Sequence, residues 1–212
     1  MNSLIERHLE LVIEANKKVN LTRIDTWEDG MVLHVQDSLL GLEEVNAAPR
    51  GRYADLGTGA GYPGIPIAIE TQRDTLLVDS VKKKVAVLDS FIEQLGLEDV
   101  ATYCGRIEDL AKREANGFAV VTARALASLP VLMELASPLL FEGGRLVCYK
   151  AQPSQDEVEH ALSLQEKLGM WLVSDREAPL GEFRRRIITF EKTGEPLVVL
   201  PRRVGMAQKR PL

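Results

Sequence analysis

Short apolar runs alternate with longer amphipathic stretches along most of the chain after residue 51. The apolar runs predict strands near 52–56, 75–79, 100–104, 117–122 and 145–150. The stretches between and after them predict helices near 64–71, 81–95, 106–114, 125–140 and 154–169. Strict alternation of this kind indicates βαβ units, with a parallel sheet and right-handed crossovers.

Both ends of the chain depart from this alternation. Apolar positions at helical spacing predict helices over 3–19 and 31–40, and the first fifty residues contain no convincing strand. Two late strands, near 171–175 and 185–191, have no helix between them and are expected to pair antiparallel. The sequence therefore predicts an α/β, Rossmann-like, mostly parallel sheet with an antiparallel last hairpin. An N-terminal helical cap over 1–50 is expected to precede one compact domain over 51–212.

A glycine-rich turn follows the first predicted strand and leads into the first crossover helix. Glycine permits positive φ and close backbone approach, so Gly57, Gly59 and Gly61 predict a tight turn around a ligand. The dinucleotide fingerprint would have its third small residue at position 62, where Tyr62 stands. Asp55, at the end of the strand, would repel a pyrophosphate but attract an ammonium or a sulfonium group. S-adenosylmethionine carries both cations and no phosphate, so the pattern favours it over NAD; a turn without a ligand is the alternative.

An acidic residue closes the second predicted strand. Asp79 comes 22 positions after Gly57, about where nucleotide-binding folds have an acid that binds the ribose hydroxyls. It could instead cap the following helix, and one carboxylate could serve both purposes. Ligands of such sheets bind outside the carboxyl ends of the strands, so residues 105–108 should lie near an adenine. Arg124, after the fourth strand, should face the transferred group, or else pair with a structural acid.

The composition is that of a soluble globular protein. The chain has 212 residues, of which 45% are hydrophobic and 27% are charged. It contains no apolar run of membrane-spanning length and begins with a charged segment, so we expect a cytoplasmic protein. Cys104 and Cys148 lie in apolar runs without ligand spacing, so they are expected to be core thiols and no metal site is predicted.

The charge is unevenly distributed along the chain. A net charge of −5 argues at first against a nucleic-acid partner. Residues 181–212, however, hold eight Lys and Arg against three acids, a net charge of +5. Phosphate binding depends on such a local basic surface rather than on the average charge. A merely solvated basic terminus is the alternative interpretation.

The glycine-rich turn and its extension, Asp55-Leu-Gly-Thr-Gly-Ala-Gly-Tyr-Pro-Gly-Ile-Pro66, resemble a known signature. It is D-L-G-[ST]-G-x-G-[FLY]-P-G-[IL]-P, the signature of glucose-inhibited division protein B, the bacterial methyltransferase G family of small-subunit ribosomal RNA. Other segments in family order are Asn20-Leu21-Thr22, His34 with Asp37-Ser38-Leu39, Asp79-Ser80, Arg106 with Glu108, Arg124-Ala125 and the ending from Leu200 to Leu212. The resemblance implies a class I methyltransferase that transfers a methyl group from S-adenosylmethionine to N7 of a guanosine in the 530-loop region of 16S rRNA.

The resemblance also implies particular contacts. Cofactor contacts are implied at Gly57, Tyr62, Ile107, Glu108 and Arg124, and the physical argument adds Asp55, Gly59, Gly61 and Asp79. RNA contacts are expected at Lys83, Arg202, Arg203 and Lys209. No general base is assigned, because guanine N7 has a lone pair and no proton. His34 and Asp37 either face the pocket or form a structural pair.

The implied partner is 16S rRNA or the small ribosomal subunit, bound by a monomer without a metal or a membrane. The chain departs from the family pattern at Ala151, where Gly is usual after Lys, and within 205–209, where Pro is common. Two other functions remain open. One is a small-molecule methyltransferase, whose substrate binding would not depend steeply on salt. The other is a non-catalytic module that senses S-adenosylmethionine during ribosome assembly.

Overall fold

The computed structural model describes residues 2–212 and contains a seven-stranded sheet. Its strands are β1 (Tyr53–Leu56), β2 (Thr75–Asp79), β3 (Val100–Cys104), β4 (Phe118–Arg124), β5 (Leu140–Lys150), β6 (Met170–Leu180) and β7 (Phe183–Lys192). The spatial order is β3-β2-β1-β4-β5-β7-β6, with β1 to β5 parallel and β7 antiparallel to both of its neighbours. The predicted doubly wound sheet with an antiparallel last hairpin is therefore confirmed.

Helices cover both faces of the sheet. They are α1 (Ser3–Asn16), α2 (Trp27–Gly30), a π-helical segment (Met31–Gln36), α3 (Asp37–Leu39), α4 (Leu42–Asn46), α5 (Gly64–Thr71), α6 (Lys82–Leu95), α7 (Ile107–Arg113), α8 (Leu129–Ala136), α9 (Gln155–Ser163), α10 (Gln165–Leu168) and α11 (Met206–Lys209). Residues 2–50 contain helices and no strand. Ile5 and Leu9 of α1 share a buried cluster with Ile65 of α5 and Phe91 of α6. We propose that this N-terminal segment caps the domain over 51–212.

The largest difference from the predicted elements lies between β4 and β5. The helix predicted near 125–140 ends at Ala136, and β5 begins at Leu140 rather than near 145, so Gly143 and Gly144 belong to the strand. Gly143 has φ of +85°, and the β4–β5 register shifts here, as in a β-bulge. The bulge allows β5 to begin at Leu140, before the two glycines. At Gly144 a Cβ atom would lie 3.1 Å from the Phe118 carbonyl oxygen, so a side chain there would crowd the neighbouring strand.

Smaller differences from the sequence-based predictions concern the lengths of strands and helices and the exposure of one cysteine. The strands β6 and β7 extend to a two-residue turn at Gly181 and Glu182, so residues 178–180 are strand rather than loop. The N-terminal helix stops at Asn16, whose side chain accepts the Leu21 and Thr22 N–H groups and so stabilises the chain reversal. The predicted helix at 154–169 divides into α9 and α10. Cys148 is buried as expected, but Cys104 is exposed.

Candidate functional site

The glycine-rich turn joins β1 to α5 at the carboxyl edge of the sheet. Gly57, Gly59 and Gly61 have φ of +70°, +61° and +92°, values that side-chain-bearing residues rarely adopt. A Cβ atom on Gly57 would lie 2.8 Å from Leu126 Cδ1, so this position also lacks space. The positive φ explains all three glycines, and close packing adds a second reason at Gly57 and Gly61.

A cavity of about 230 Å³, termed here the first cavity, opens beside this turn. Its lining comes from the ends of neighbouring strands: Gly57 after β1, Val78 to Ser80 at β2, Gly105 to Glu108 after β3, and Leu126 after β4. Lys84, Leu135, Ala207 and Gln208 complete the wall. Four predicted cofactor residues, Gly57, Asp79, Ile107 and Glu108, thus meet in one space at the switch point of the sheet.

Asp79 connects the turn to the start of α6. Its Oδ1 accepts the Val81 N–H at 2.8 Å, and its Oδ2 accepts the Gly59 N–H at 3.2 Å. A carboxylate oxygen has two lone pairs, so each oxygen can still accept a hydrogen bond from a ligand. The N-cap of α6 is Val81, so Asp79 is not the helix cap considered from the sequence, whereas its free lone pairs leave the ribose role open.

Asp55 lies beneath the turn rather than at the cavity. Its side chain is fully buried, and its oxygens accept the Gly64 N–H at 2.9 Å and the Thr122 hydroxyl at 2.7 Å. Burial raises the pKa of its carboxyl group to about 6, although these hydrogen bonds oppose the rise. The expectation of a direct charge contact between Asp55 and the ligand is therefore corrected. The Asp55 carboxyl group instead links the turn, at Gly64, to Thr122 of β4.

Tyr62 also lies behind the turn. Its ring stacks on His34 at 4.5 Å between centroids and 5° between planes, and it contacts His8 at 4.5 Å on a tilted plane. The side chain is buried and does not line the first cavity. The histidine rings of the N-terminal helices cover the Tyr62 side chain on the side away from the first cavity.

The sequence-based prediction did not identify His8 of α1. Its ring is fully buried, and its Nε2–H donates to the Ala60 carbonyl in the turn at 3.0 Å. Burial lowers the pKa of His8 to about 3, so the ring is neutral at physiological pH. The only signal in the sequence is a histidine on the apolar face of a helix, which is common in ordinary cores.

Arg124 lies at a second cavity of about 410 Å³. Its Nη1 donates to Asp37 Oδ2 at 2.9 Å and to the Leu33 carbonyl at 3.0 Å. Arg185 also pairs with Asp37, at 2.8 Å. His34 receives a hydrogen bond from Arg124 at 3.4 Å and contacts Thr22 at 3.1 Å. Burial, with the nearby charge of Arg124, lowers the pKa of His34 to about 4, so this ring is also neutral.

The two possibilities considered for His34 and Asp37 both hold in part. Asp37 forms a structural pair, but with Arg124 and Arg185 rather than with His34. Both residues also line the second cavity, together with Lys150 and Ala125. Ala125 has φ of +53°, an unusual conformation for alanine, where the chain passes from one cavity to the other.

The C-terminal residues form part of the first cavity, which sequence reasoning did not anticipate. Glu108 is buried, and its Oε1 accepts the Gly205 N–H at 2.6 Å. Arg202 pairs with Glu134 through two bonds of 2.7 and 2.6 Å and also donates to the Arg210 carbonyl. These contacts hold Ala207 and Gln208 at the cavity.

The four residues expected to contact RNA therefore differ in their availability. Lys83, Arg203 and Lys209 are exposed. Arg202 is corrected: its Nε and Nη2 groups donate to Glu134, so its main contact lies within the chain. Among residues 2–212, no cluster of three or more possible ligands could hold a metal ion. None of the helices described is long and apolar enough to cross a membrane.

The chain matches the family model of rRNA small subunit methyltransferase G over residues 1–174. It is 39% identical to the ribosomal RNA small subunit methyltransferase G of Desulfitobacterium hafniense, over 97% of this chain and 87% of the relative. The corresponding protein of Alkaliphilus metalliredigens is 33% identical, over 96% and 87%. The fold is similar to that of a geranyl diphosphate methyltransferase solved in complex with SAM. That similarity has a TM-score of 0.59 and 15% identity, over 74% of this chain and 84% of the other.

Proposed function

Because the chain belongs to the rRNA small subunit methyltransferase G family, we propose that it transfers the methyl group of S-adenosylmethionine to N7 of a guanosine in the 530-loop region of 16S rRNA. The observation that carries this proposal is the first cavity, where Gly57, Asp79 and Glu108 from successive strand ends line one space. This is the location at which doubly wound sheets bind nucleotide ligands.

The cofactor's adenosine group would occupy the first cavity. Asp79 has lone pairs available for the ribose hydroxyls, and Ile107 offers an apolar surface for the adenine. Asp55, although it touches no ligand directly, holds the turn through Gly64.

The methyl group would face the second cavity. Leu126 lines the first cavity and its chain neighbour Ala125 lines the second, so the two spaces adjoin at the end of β4. A guanine in the second cavity could then approach a cofactor that extends across the turn. Arg124, Lys150 and Arg185 line this space and favour an anionic nucleotide, although the whole chain is acidic.

The chemistry requires alignment more than proton transfer. The N7 lone pair of guanine attacks the methyl carbon while the carbon–sulfur bond breaks, and the electron pair of that bond stays on sulfur. The sulfonium becomes a neutral thioether and the guanine becomes cationic, so no proton moves. Correct positioning can supply several kcal/mol of the required acceleration. The pKa values of His8 and His34 are lowered to about 3 and about 4, so both rings are weak bases, in keeping with a mechanism without a general base.

The experiment is methyl transfer from labelled S-adenosylmethionine to small ribosomal subunits, or their RNA, that lack the modification. We expect 7-methylguanosine in 16S rRNA, mapped by strand scission at the modified base. Gly57→Val should abolish transfer, since the branched side chain needs both a negative φ and space occupied by Leu126. Gly96→Val is the matched control: φ is +64°, but a Cβ atom there meets nothing within 4 Å.

The outcomes separate the alternatives. Cofactor binding with transfer only to a free metabolite, unaffected by salt, would indicate a small-molecule methyltransferase. Cofactor binding without transfer to either substrate would favour a sensing module in ribosome assembly. Binding of NADH without binding of S-adenosylmethionine would contradict the proposal altogether.

A further inference from the structure

We propose that the tip of the β6–β7 hairpin, Leu180–Arg185, contacts the RNA beside the target nucleotide, with Phe183 stacking on a base and Arg184 contacting a phosphate. The inference rests on the proposed function and assigns that function an RNA-binding element. These residues lie beyond 1–174, the part of the chain that the family model matches.

The hairpin reaches past the rest of the sheet on the side of the two cavities. The last residue of β5, Lys150, pairs with Arg186 of β7. Beyond it, β6 and β7 continue for three further residue pairs, from Ala178–Arg185 to Leu180–Phe183. At about 3.4 Å per residue, the tip extends about 10 Å beyond β5. Since β4 and β5 end at this same edge, the extension lies beside the second cavity, which Arg185 also lines.

The tip presents an aromatic ring and an unpaired cation to solvent. The side chain of Phe183 is 47% exposed. Arg184 is exposed, and its side chain has no hydrogen-bond or ion-pair partner among residues 2–212. Aromatic stacking on unpaired bases combined with phosphate contacts is the usual means of binding single-stranded RNA. Glu182 is the acid at the tip, and its charge is outweighed by Arg184 and Arg185.

Neighbouring contacts hold the tip in place. Arg185 pairs with Asp37 at 2.8 Å, and Arg176 of β6 pairs with Glu44 of α4 at 2.6 Å. Ala178 and Leu180 are buried. The backbone beneath the exposed residues is therefore ordered before RNA binds, which reduces the entropic cost of binding. Because Asp37 also pairs with Arg124, the tip is joined to the wall of the second cavity.

The test compares Phe183→Ala and Arg184→Ala with the wild-type chain. The measurements are S-adenosylmethionine binding by calorimetry, and RNA binding and methyl transfer at several salt concentrations with small-subunit RNA. Both variants should bind the cofactor normally and raise the KM for RNA by about tenfold. Only Arg184→Ala should also lower the slope of log affinity against log salt, by about one phosphate contact.

The same hairpin supplies the control for the aromatic residue. Trp171 is also 47% exposed, but it lies on β6 at the opposite end of the sheet. Arg50, an exposed residue just before β1, controls for the charge. Trp171→Ala and Arg50→Ala should change the KM for RNA by less than twofold.

Other outcomes would overturn the inference. An unchanged KM in both tip variants, in a wild-type chain that methylates RNA, would contradict it while leaving the proposed function intact. Weakened transfer on assembled subunits alone, with RNA binding unchanged, would assign the tip to a ribosomal protein. Cofactor binding without any RNA transfer by the wild-type chain would remove the proposed function and this inference together.

Discussion

The glycine-rich turn has two faces with opposite surroundings. One faces the first cavity, where Asp79 and Glu108 accept backbone N–H groups and retain capacity for a ligand. The other is packed against the N-terminal helices, where His8, Tyr62 and His34 are buried. The residues around the turn are divided between these faces: Gly57 and Asp79 line the cavity, while Asp55 and Tyr62 support the turn from behind. A signature can thus describe both a ligand site and the packing that holds the site in shape.

The largest expected effect is on the buried face. His8→Ala removes a fully buried ring and its hydrogen bond to Ala60, so the free energy of unfolding should fall by about 3–4 kcal/mol. Denaturation by urea measures the change. His160→Ala is the control, because His160 is exposed on α9, and it should cost less than 1 kcal/mol. Equal losses in the two variants would show that His8 has no special structural role.

The cavity face should respond through ligand binding instead. Asp79→Asn should weaken S-adenosylmethionine binding by about 10- to 30-fold, because a neutral amide is a weaker acceptor for the ribose hydroxyls. Asn can still accept the Val81 N–H through its Oδ1, but its Nδ2 cannot accept the Gly59 N–H, so the unfolding free energy should fall by about 1–2 kcal/mol. Calorimetry measures the affinity. Asp99→Asn, at the opposite end of β3, should leave it unchanged, and an unaltered affinity in the Asp79 variant would exclude the ribose role.

Acid should lower the free energy of unfolding through His8, on the buried face of the turn. Burial lowers the pKa of His8 from 6.5 to about 3. As the pH falls below 6.5, the unfolded chain therefore binds a proton at His8 that the folded chain does not bind. Between pH 7 and pH 5 this removes about 2 kcal/mol of stability. Asp55 acts in the opposite direction: its pKa is raised from 3.8 to about 6, so its contribution increases as the pH falls through 6.

A substitution isolates the contribution of the histidine. His8→Gln can still donate to Ala60 but does not titrate, so its loss of stability between pH 7 and pH 5 should be about 2 kcal/mol smaller than that of the wild-type chain. His160→Gln should leave the pH dependence unchanged. If the free energy of unfolding fell equally with pH in the wild-type chain and in His8→Gln, His8 would bind a proton in the folded chain as readily as in the unfolded chain.

The smallest expected effect concerns the C-terminal wall of the first cavity. Gln208 and Lys209 are both exposed, but only Gln208 lines the cavity. Gln208→Ala should weaken cofactor binding two- to fivefold, about the value of one neutral hydrogen bond at a partly exposed site. Lys209→Ala should leave cofactor affinity unchanged and, if Lys209 contacts RNA, weaken RNA binding alone. If Lys209→Ala weakened cofactor binding and Gln208→Ala did not, Gln208 would not be a cofactor contact.

The amino-acid sequence by itself determined the features that depend on local chemistry. Apolar runs separated by amphipathic stretches specify the alternating strands and helices, and glycines specify the positive φ angles of the turn. Asp79 could be assigned to the site because the carboxyl ends of parallel strands share one edge. The resemblance to the family rested on the glycine-rich turn with its extension to Pro66 and on further segments along the chain.

Only the tertiary structure decided which side chains face the first cavity. Asp55 and Tyr62 belong to the signature, yet Thr122 and two histidines from other elements turn them into supporting residues. Arg202 was expected at RNA but binds Glu134, 68 positions away. His8 meets Ala60 across 52 positions. Such contacts depend on how separate elements pack together, and the periodicity of any one segment carries no information about its distant neighbours.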